Sequence, residues 1–162
     1  HSYEIFKKVG SIIENPYFYD KMTARQNLEL HCEYMGFPNK ERIDEVLHLV
    51  DLQNVEKKQV CHYSLGMKQR LAIARAILND TKVIIFDEAT SNTDAYSEQQ
   101  INGLLDTRLK DKTVIVITHK KEVLSKVDQI VVLKEGVVAD LGRYDDLVGK
   151  SDELNVMLEK AE

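Results

Sequence analysis

Cysteine is scarce in this chain. Among its 162 residues only Cys32 and Cys61 occur, too few for the disulfide framework of a small secreted domain and suited to a reducing compartment. A zinc centre is not supported either. His31-Cys32 and Cys61-His62 offer four ligand-type side chains, but neighbours on a helix diverge, and zinc ligands are usually spaced by about two to four residues. They read as ordinary core and surface residues. Long apolar runs are also missing, none approaching the roughly 20 residues of a membrane-spanning helix, so any membrane role is expected to come through a partner. The start, His1 to Lys8, is polar and mixed and holds no signal-peptide core. A surplus of positive charge is absent as well. The net charge of −5 argues against a nucleic-acid binder that lives on counterion release. Neither an internal repeat nor a low-complexity stretch occurs. What is present is 43% hydrophobic and 30% charged residues, the balance expected of one soluble globular domain of ordinary size.

Hydrophobic periodicity divides the chain into two kinds of region. The apolar run Val9 to Ile13 reads as a strand that leaves into a loop at Glu14-Asn15-Pro16. Thr23-Ala24-Arg25-Gln26 has a hydroxyl at N-cap and a glutamine three residues on, so the spacing predicts a helix start with a capping box. That helix should stop near Gly36-Phe37-Pro38. A second is expected from about Asn39, with Ile43, Val46, Leu47 and Val50 on one face. A third runs from Ser64 to about Asn79. Beyond it, Val83 to Phe86 and Val114 to Ile117 read as strands covered on both faces, with a helix around residues 95 to 109 between them. A short helix, strands over Gln129 to Leu133 and Val137 to Ala139 joined at Glu135-Gly136, and helical segments over 144 to 149 and 152 to 161 complete the chain. Buried strands alternating with helices imply an α/β sandwich, preceded by a helical lobe over about residues 16 to 78 and occupying about 80 to 162.

Chemistry concentrates where the buried strands end. Asp87 and Glu88 follow four apolar residues, which places them at the carboxyl end of a strand, where open α/β sheets bind ligands. Adjacent carboxylates repel and are costly to desolvate unless something positive arrives. Magnesium fits, since it favours carboxylate oxygens and retains several waters. Asp87 would then hold the ion's hydration shell, and Glu88 would polarise a water for attack on a γ-phosphate. An acidic turn that merely closes a strand is the alternative. The next strand ends at Thr118-His119, so neighbouring parallel strands would deliver Glu88 and His119 to one edge; a structural histidine is the alternative there. At the head of the third helix, Ser64 and Gly66 combine a hydroxyl, an unobstructed backbone and the positive end of the helix dipole. This suits an anion, although a serine N-cap without a ligand looks the same in sequence.

In order and spacing these pieces resemble the nucleotide-binding domain of the ABC transporter ATPases. Tyr63-Ser64-Leu65-Gly66-Met67, followed by Lys68-Gln69-Arg70, is similar to the family signature LSGGQ and its basic helix. Residues 83 to 88 resemble the Walker B strand with its catalytic glutamate, Ser91-Asn92-Thr93-Asp94 the D-loop, and His119 the switch histidine. Glu14 stands where most members carry the Q-loop glutamine, and Ile13-Glu14-Asn15-Pro16 is similar to bacitracin-type drug-efflux members. Residues up to about Leu78 look like that branch, and those from Asp87 onward like fused exporters.

The resemblance implies a partial P-loop NTPase fold, RecA-like and three-layered, with an inserted α-helical lobe. It also implies ATP and magnesium as cofactors, and a head-to-tail dimer with a second ATPase domain. Glu88 and His119 would be catalytic, and Asp87 and Glu14 would reach magnesium through water. Ser64, Gly66 and Met67 would touch the partner's ATP, and Asp94 would signal across the dimer. Transmembrane subunits would hold the domain at the cytoplasmic side of the membrane, where closing on ATP and opening after hydrolysis drive export of a peptide or drug. ABC-like ATPases that act on DNA or ribosomes carry long coiled coils or basic arms, which are not found here.

Two departures stand out. Leu65 and Met67 replace a glycine and a glutamine of the signature. The phosphate loop, G-x-x-x-x-G-K-[ST], should precede Glu14 by several tens of residues, yet only thirteen precede it. Gly149-Lys150-Ser151 has the right ending, but Tyr144 stands where the leading glycine belongs, and Asp145 and Asp146 would repel phosphate. The chain is therefore expected to be an N-terminally cut ATPase domain, inactive alone. The alternative is a degenerate module that donates only its signature helix to an intact partner.

Overall fold

The computed structural model describes residues 8–37, 40–88, 98, 99, 101, 103 and 109–159. They divide between two compact units, His1–Ile117 and Thr118–Glu162. In the first, β1 (Val9–Ile13), β2 (Val83–Asp87) and β3 (Thr113–Ile117) form a sheet in the order β1-β2-β3. All pairs are parallel, with Val9 opposite Val83 and Val83 opposite Thr113. Parallel neighbours cannot be joined by a tight turn and need a long crossover. The one between β1 and β2 carries three helices: α1 (Ala24–Met35), α2 (Lys40–Leu49) and α3 (Leu65–Ile77). The α/β architecture with an inserted helical region is thus as expected from the pattern.

Both ends of α1 and the start of α3 have local causes. Thr23 Oγ1 accepts from the Gln26 N–H at 3.2 Å, and Gln26 Oε1 accepts from the Thr23 N–H at 2.9 Å, closing the capping box that starts α1. Gly36 ends it in the left-handed region (φ 76°), where a side chain would be strained. Ser64 caps α3, its Oγ accepting from the Met67 N–H at 3.2 Å. On α2, Ile43, Val46 and Leu47 are buried, as is Val50 beyond its end, which satisfies the predicted stripe. They join Leu28, Leu71, Ile12, Ile84 and Phe86 in one core. Burying each such side chain stabilises by about 1.5–3 kcal/mol, so this shared interior holds the helices to the sheet.

Gly10 sets how closely α3 lies on β1. A Cβ at that position would fall 2.5 Å from the Ala76 carbonyl oxygen. Only a residue without a side chain lets the two backbones approach so nearly.

Strand β3 departs from expectation. Val114 and Val116 pack on the core, but Ile115 and Ile117 are 46% and 51% exposed. Alternate side chains point to opposite faces, and the face carrying Val114 and Val116 is the one that meets the interior. A run of four apolar residues looks the same whether one face or both are covered.

The second unit holds α4 (Lys121–Leu124), the antiparallel pair β4 (Ile130–Lys134) and β5 (Val137–Gly142), and the helices α5 (Tyr144–Leu147) and α6 (Asp152–Glu159). Glu135 and Gly136 both take positive φ (50° and 80°), the conformation that a two-residue hairpin turn favours. Ile130, Val132, Leu147 and Leu154 form a small core. Gly149-Lys150-Ser151 is spent locally. Ser151 is buried, its Oγ accepting from the Leu154 N–H at 3.2 Å to cap α6 and bonding Asp140 Oδ2 at 2.5 Å. The segment does not have the strand-to-helix setting of a phosphate loop, in agreement with the sequence reading.

Candidate functional site

Three parallel strands ending level make a shelf. Ile13 faces Asp87 and Asp87 faces Ile117, so Glu14, one residue past β1, Asp87, closing β2, and Glu88 just beyond it all belong to the carboxyl-end edge of one sheet. This is the edge at which open α/β sheets receive ligands. Asp87 is exposed and Glu88 half-buried. Glu88 sits at φ 48°, a left-handed conformation uncommon for a residue with a long side chain. Its N–H donates to the Ile117 carbonyl at 3.1 Å, so β3 holds the backbone in that shape. Strain retained by a specific hydrogen bond is characteristic of functional positions.

The helix α3 meets this edge. Gln69 is 1% exposed, and its Nε2 donates to the Glu14 carbonyl. Its Oε1 is buried without a partner, as is Arg70 Nε. Buried amides are rarely left half-satisfied, and here the amide is committed to the backbone at Glu14. Two further contacts tie α3 to the loop after Glu14. Lys68 Nζ pairs with Asp20 Oδ1 at 3.3 Å, and Arg75 Nη1 donates to the Tyr17 carbonyl at 3.1 Å. Gln69 was not singled out by motif. The signal was nonetheless in the sequence, as a polar residue in the same stripe as the buried Gly66, Ile73 and Ile77.

At the head of α3 the hydrogen bonds can be assigned one by one. Ser64 Oγ takes the Met67 N–H, and the Ser64 carbonyl takes the Lys68 N–H at 3.0 Å. The N–H groups of Leu65 and Gly66 are thereby left without intrahelical acceptors. Unengaged N–H groups and the helix dipole are the features that suit an exposed helix start such as Ser64 to an anion. Upstream, Tyr63 is buried and its hydroxyl donates to the Val55 carbonyl at 2.8 Å; burial, then the Glu56 charge, push its pKa up.

Not every expected residue falls within this arrangement. His119 lies two residues past β3 and is exposed, within the second unit. Asp94 and the rest of Ser91-Asn92-Thr93-Asp94 lie outside the described residues. Of the cysteines, Cys32 is buried in the core and Cys61 exposed, its Sγ 3.3 Å from His62 Nδ1. Among the described residues no group of three or more His, Cys, Asp or Glu could by itself enclose a metal ion.

Known proteins are similar to this chain. Residues 2–91 match the family described as ABC transporter. The chain is 40% identical over 155 residues to the ABC transporter ATP-binding protein YcbN of Bacillus subtilis (strain 168), covering 94% of this chain and 50% of that protein. It is 38% identical over 150 residues to the bacitracin transport ATP-binding protein BcrA of Bacillus licheniformis, covering 89% and 48%. The chain thus spans about half the length of the curated relatives it matches. A bacterial Atm1-family ABC exporter solved with ATP bound superposes with a TM-score of 0.79 at 22% identity, over 96% of this chain and 28% of that one, which is a likeness of fold. A parallel sheet ending in Asp87-Glu88, a serine-capped helix docked on its edge, and a family match across more than half the sequence agree: this chain belongs to the ATP-binding proteins of the ABC transporters.

Proposed function

We infer that this chain is part of the ATP-hydrolysing motor of an ABC exporter that moves a peptide or drug. The observation that carries the reading is the shelf at the strand ends, where Glu14, Asp87 and Glu88 share one edge with the backbone clamp from α3. Carboxylates so placed fit magnesium, which is usually held by one or two protein carboxylates together with substrate phosphates rather than by an all-protein cage. Bound there, magnesium would neutralise charge on the transferring phosphates. Asp87 and Glu14 would hold its water shell, and Glu88 would orient a water and take its proton. His119 donates a hydrogen bond to a phosphate oxygen. Ser64, Gly66 and the Met67 backbone meet the ATP of a second, head-to-tail domain, and Asp94 relays closure between the two. Gln69 makes Glu14 and the signature helix move together. Membrane subunits on the cytoplasmic side receive the motion.

Alone, the 162-residue chain is expected not to turn over ATP, because no G-x-x-x-x-G-K-[ST] segment precedes Glu14 to cradle the β- and γ-phosphates. Magnesium-dependent phosphate release by the purified chain would overturn that. A second reading follows from Leu65 and Met67: a module that lends its helix to an intact ATPase. A phosphate-loop sequence encoded upstream of His1 supports the motor, and its absence supports the module. Both readings require the signature helix. They are tested by mixing the chain with an intact homologous domain and titrating ATP, using the unmodified chain and Ser64→Ala. Equal affinity with both chains removes the helix from the site.

A further inference from the structure

A cleft of about 360 Å³ opens between the start of β1 and the C-terminal ends of α1 and α3, lined in part by Ser11, His31, Met35, Arg75, Asn79 and Thr81. It is not the nucleotide edge. Val9, which also lines it, stands five residues before Glu14, about 16 Å along an extended strand.

Among the described residues of its lining, every ionisable group is basic. Arg75 spends an N–H on the Tyr17 carbonyl and lies over the Phe18 ring at 4.7 Å. Burial pushes its guanidinium below its ordinary value. Burial likewise lowers the His31 imidazole, and the Arg75 charge lowers it further. A half-buried cation is unfavourable until an anion arrives. Two of the helix-end carbonyls facing this region are hydrogen-bonded within the fold. Ala76 O accepts from Thr81 Oγ1 at 2.9 Å, and Cys32 O accepts from the Gly36 and Phe37 N–H groups. Ser11 and Asn79 add polar groups to the wall.

We propose that this cleft binds a small oxyanion, phosphate or carboxylate, between the Arg75 guanidinium and the His31 imidazole. The planar fork of arginine suits both anions, and the volume exceeds that of phosphate itself, leaving room for a small organic body. Because Arg75 also holds the Tyr17 carbonyl, an occupant steadies the loop after Glu14.

The test is an NMR titration of the chain with inorganic phosphate, citrate and, at matched ionic strength, sodium chloride, following the His31 ring and Arg75 Nε resonances. Saturable shifts with phosphate or citrate and none with chloride are expected. Phosphate acting alone identifies phosphate as the class, and citrate alone identifies carboxylate. Arg75→Gln should weaken binding by about tenfold or more, the loss expected for a hydrogen bond to a charged group. Should that variant fail to fold, His31→Leu and Asn79→Leu carry the test and should weaken binding by smaller factors. Chloride shifting the same resonances equally, or titrations unchanged in the variants that fold, would overturn the proposal.

Discussion

Ser64 has one side chain with an observed task and a proposed one, and they separate experimentally. As an N-cap it satisfies the Met67 N–H, so Ser64→Ala should cost about 1 kcal/mol of stability, read as a shift in the urea midpoint at unchanged slope. As a ligand for a partner's ATP it should also lower ATP affinity in the mixture with an intact domain, and a stability change of that size cannot mimic such a loss while the chain remains folded. His31 makes a prediction of a different kind. Burial, then the Arg75 charge, hold its folded pKa below the ordinary 6.5, so the folded chain takes up its proton less readily than the unfolded chain. The stabilisation is complete above the ordinary value and is lost as pH falls through the lower folded value. Denaturant midpoints measured at about pH 7.5 and about pH 5.5 should drop less for His31→Leu than for the unmodified chain. Parallel drops would show that the imidazole makes no contribution.

Between elements, the decisive contact is α3 against β1. Gly10 permits it, Gln69 and Arg75 fasten it to the backbone after β1, and Lys68 adds an exposed ion pair that is worth little by itself. Gly10→Ala should force α3 away from the strand and destabilise by about 1–3 kcal/mol, the usual cost of overpacking. The same shift should disturb the Gln69 bond to Glu14. Thermal unfolding measures the first effect, and amide exchange at Glu14 and Asn15 measures the second. A variant with unaltered exchange there would show that the clamp does not depend on helix height. The motifs that named Ser64, Asp87 and Glu88 were read in the sequence because each is local, a cap or a strand end. The Gln69 clamp was not, because it joins residues 55 positions apart.

At the scale of the molecule, β3 matters most. It is an edge of the described sheet with Ile115 and Ile117 exposed, and an uncharged apolar edge strand invites pairing with another chain. The chain should therefore self-associate in sedimentation experiments, and Ile115→Lys should reduce that association while leaving the folded core intact, since the Ile115 side chain does not face it. Undiminished association in the variant would place the contact elsewhere.

Sequence by itself determined the capped helices, the stripe on α2, the acidic end of β2 and the family, because each depends on short-range spacing: a cap spans three residues, a helical stripe repeats every three or four, and strand-end carboxylates simply follow apolar residues. Only the tertiary structure decided that β3 has one covered face, that Ser151 is a buried cap, that Gln69 holds the Glu14 backbone and that Arg75 stands in a cleft beside His31. Those outcomes depend on which surfaces of distant segments meet, and the packing of the helical crossover onto three parallel strands settles that.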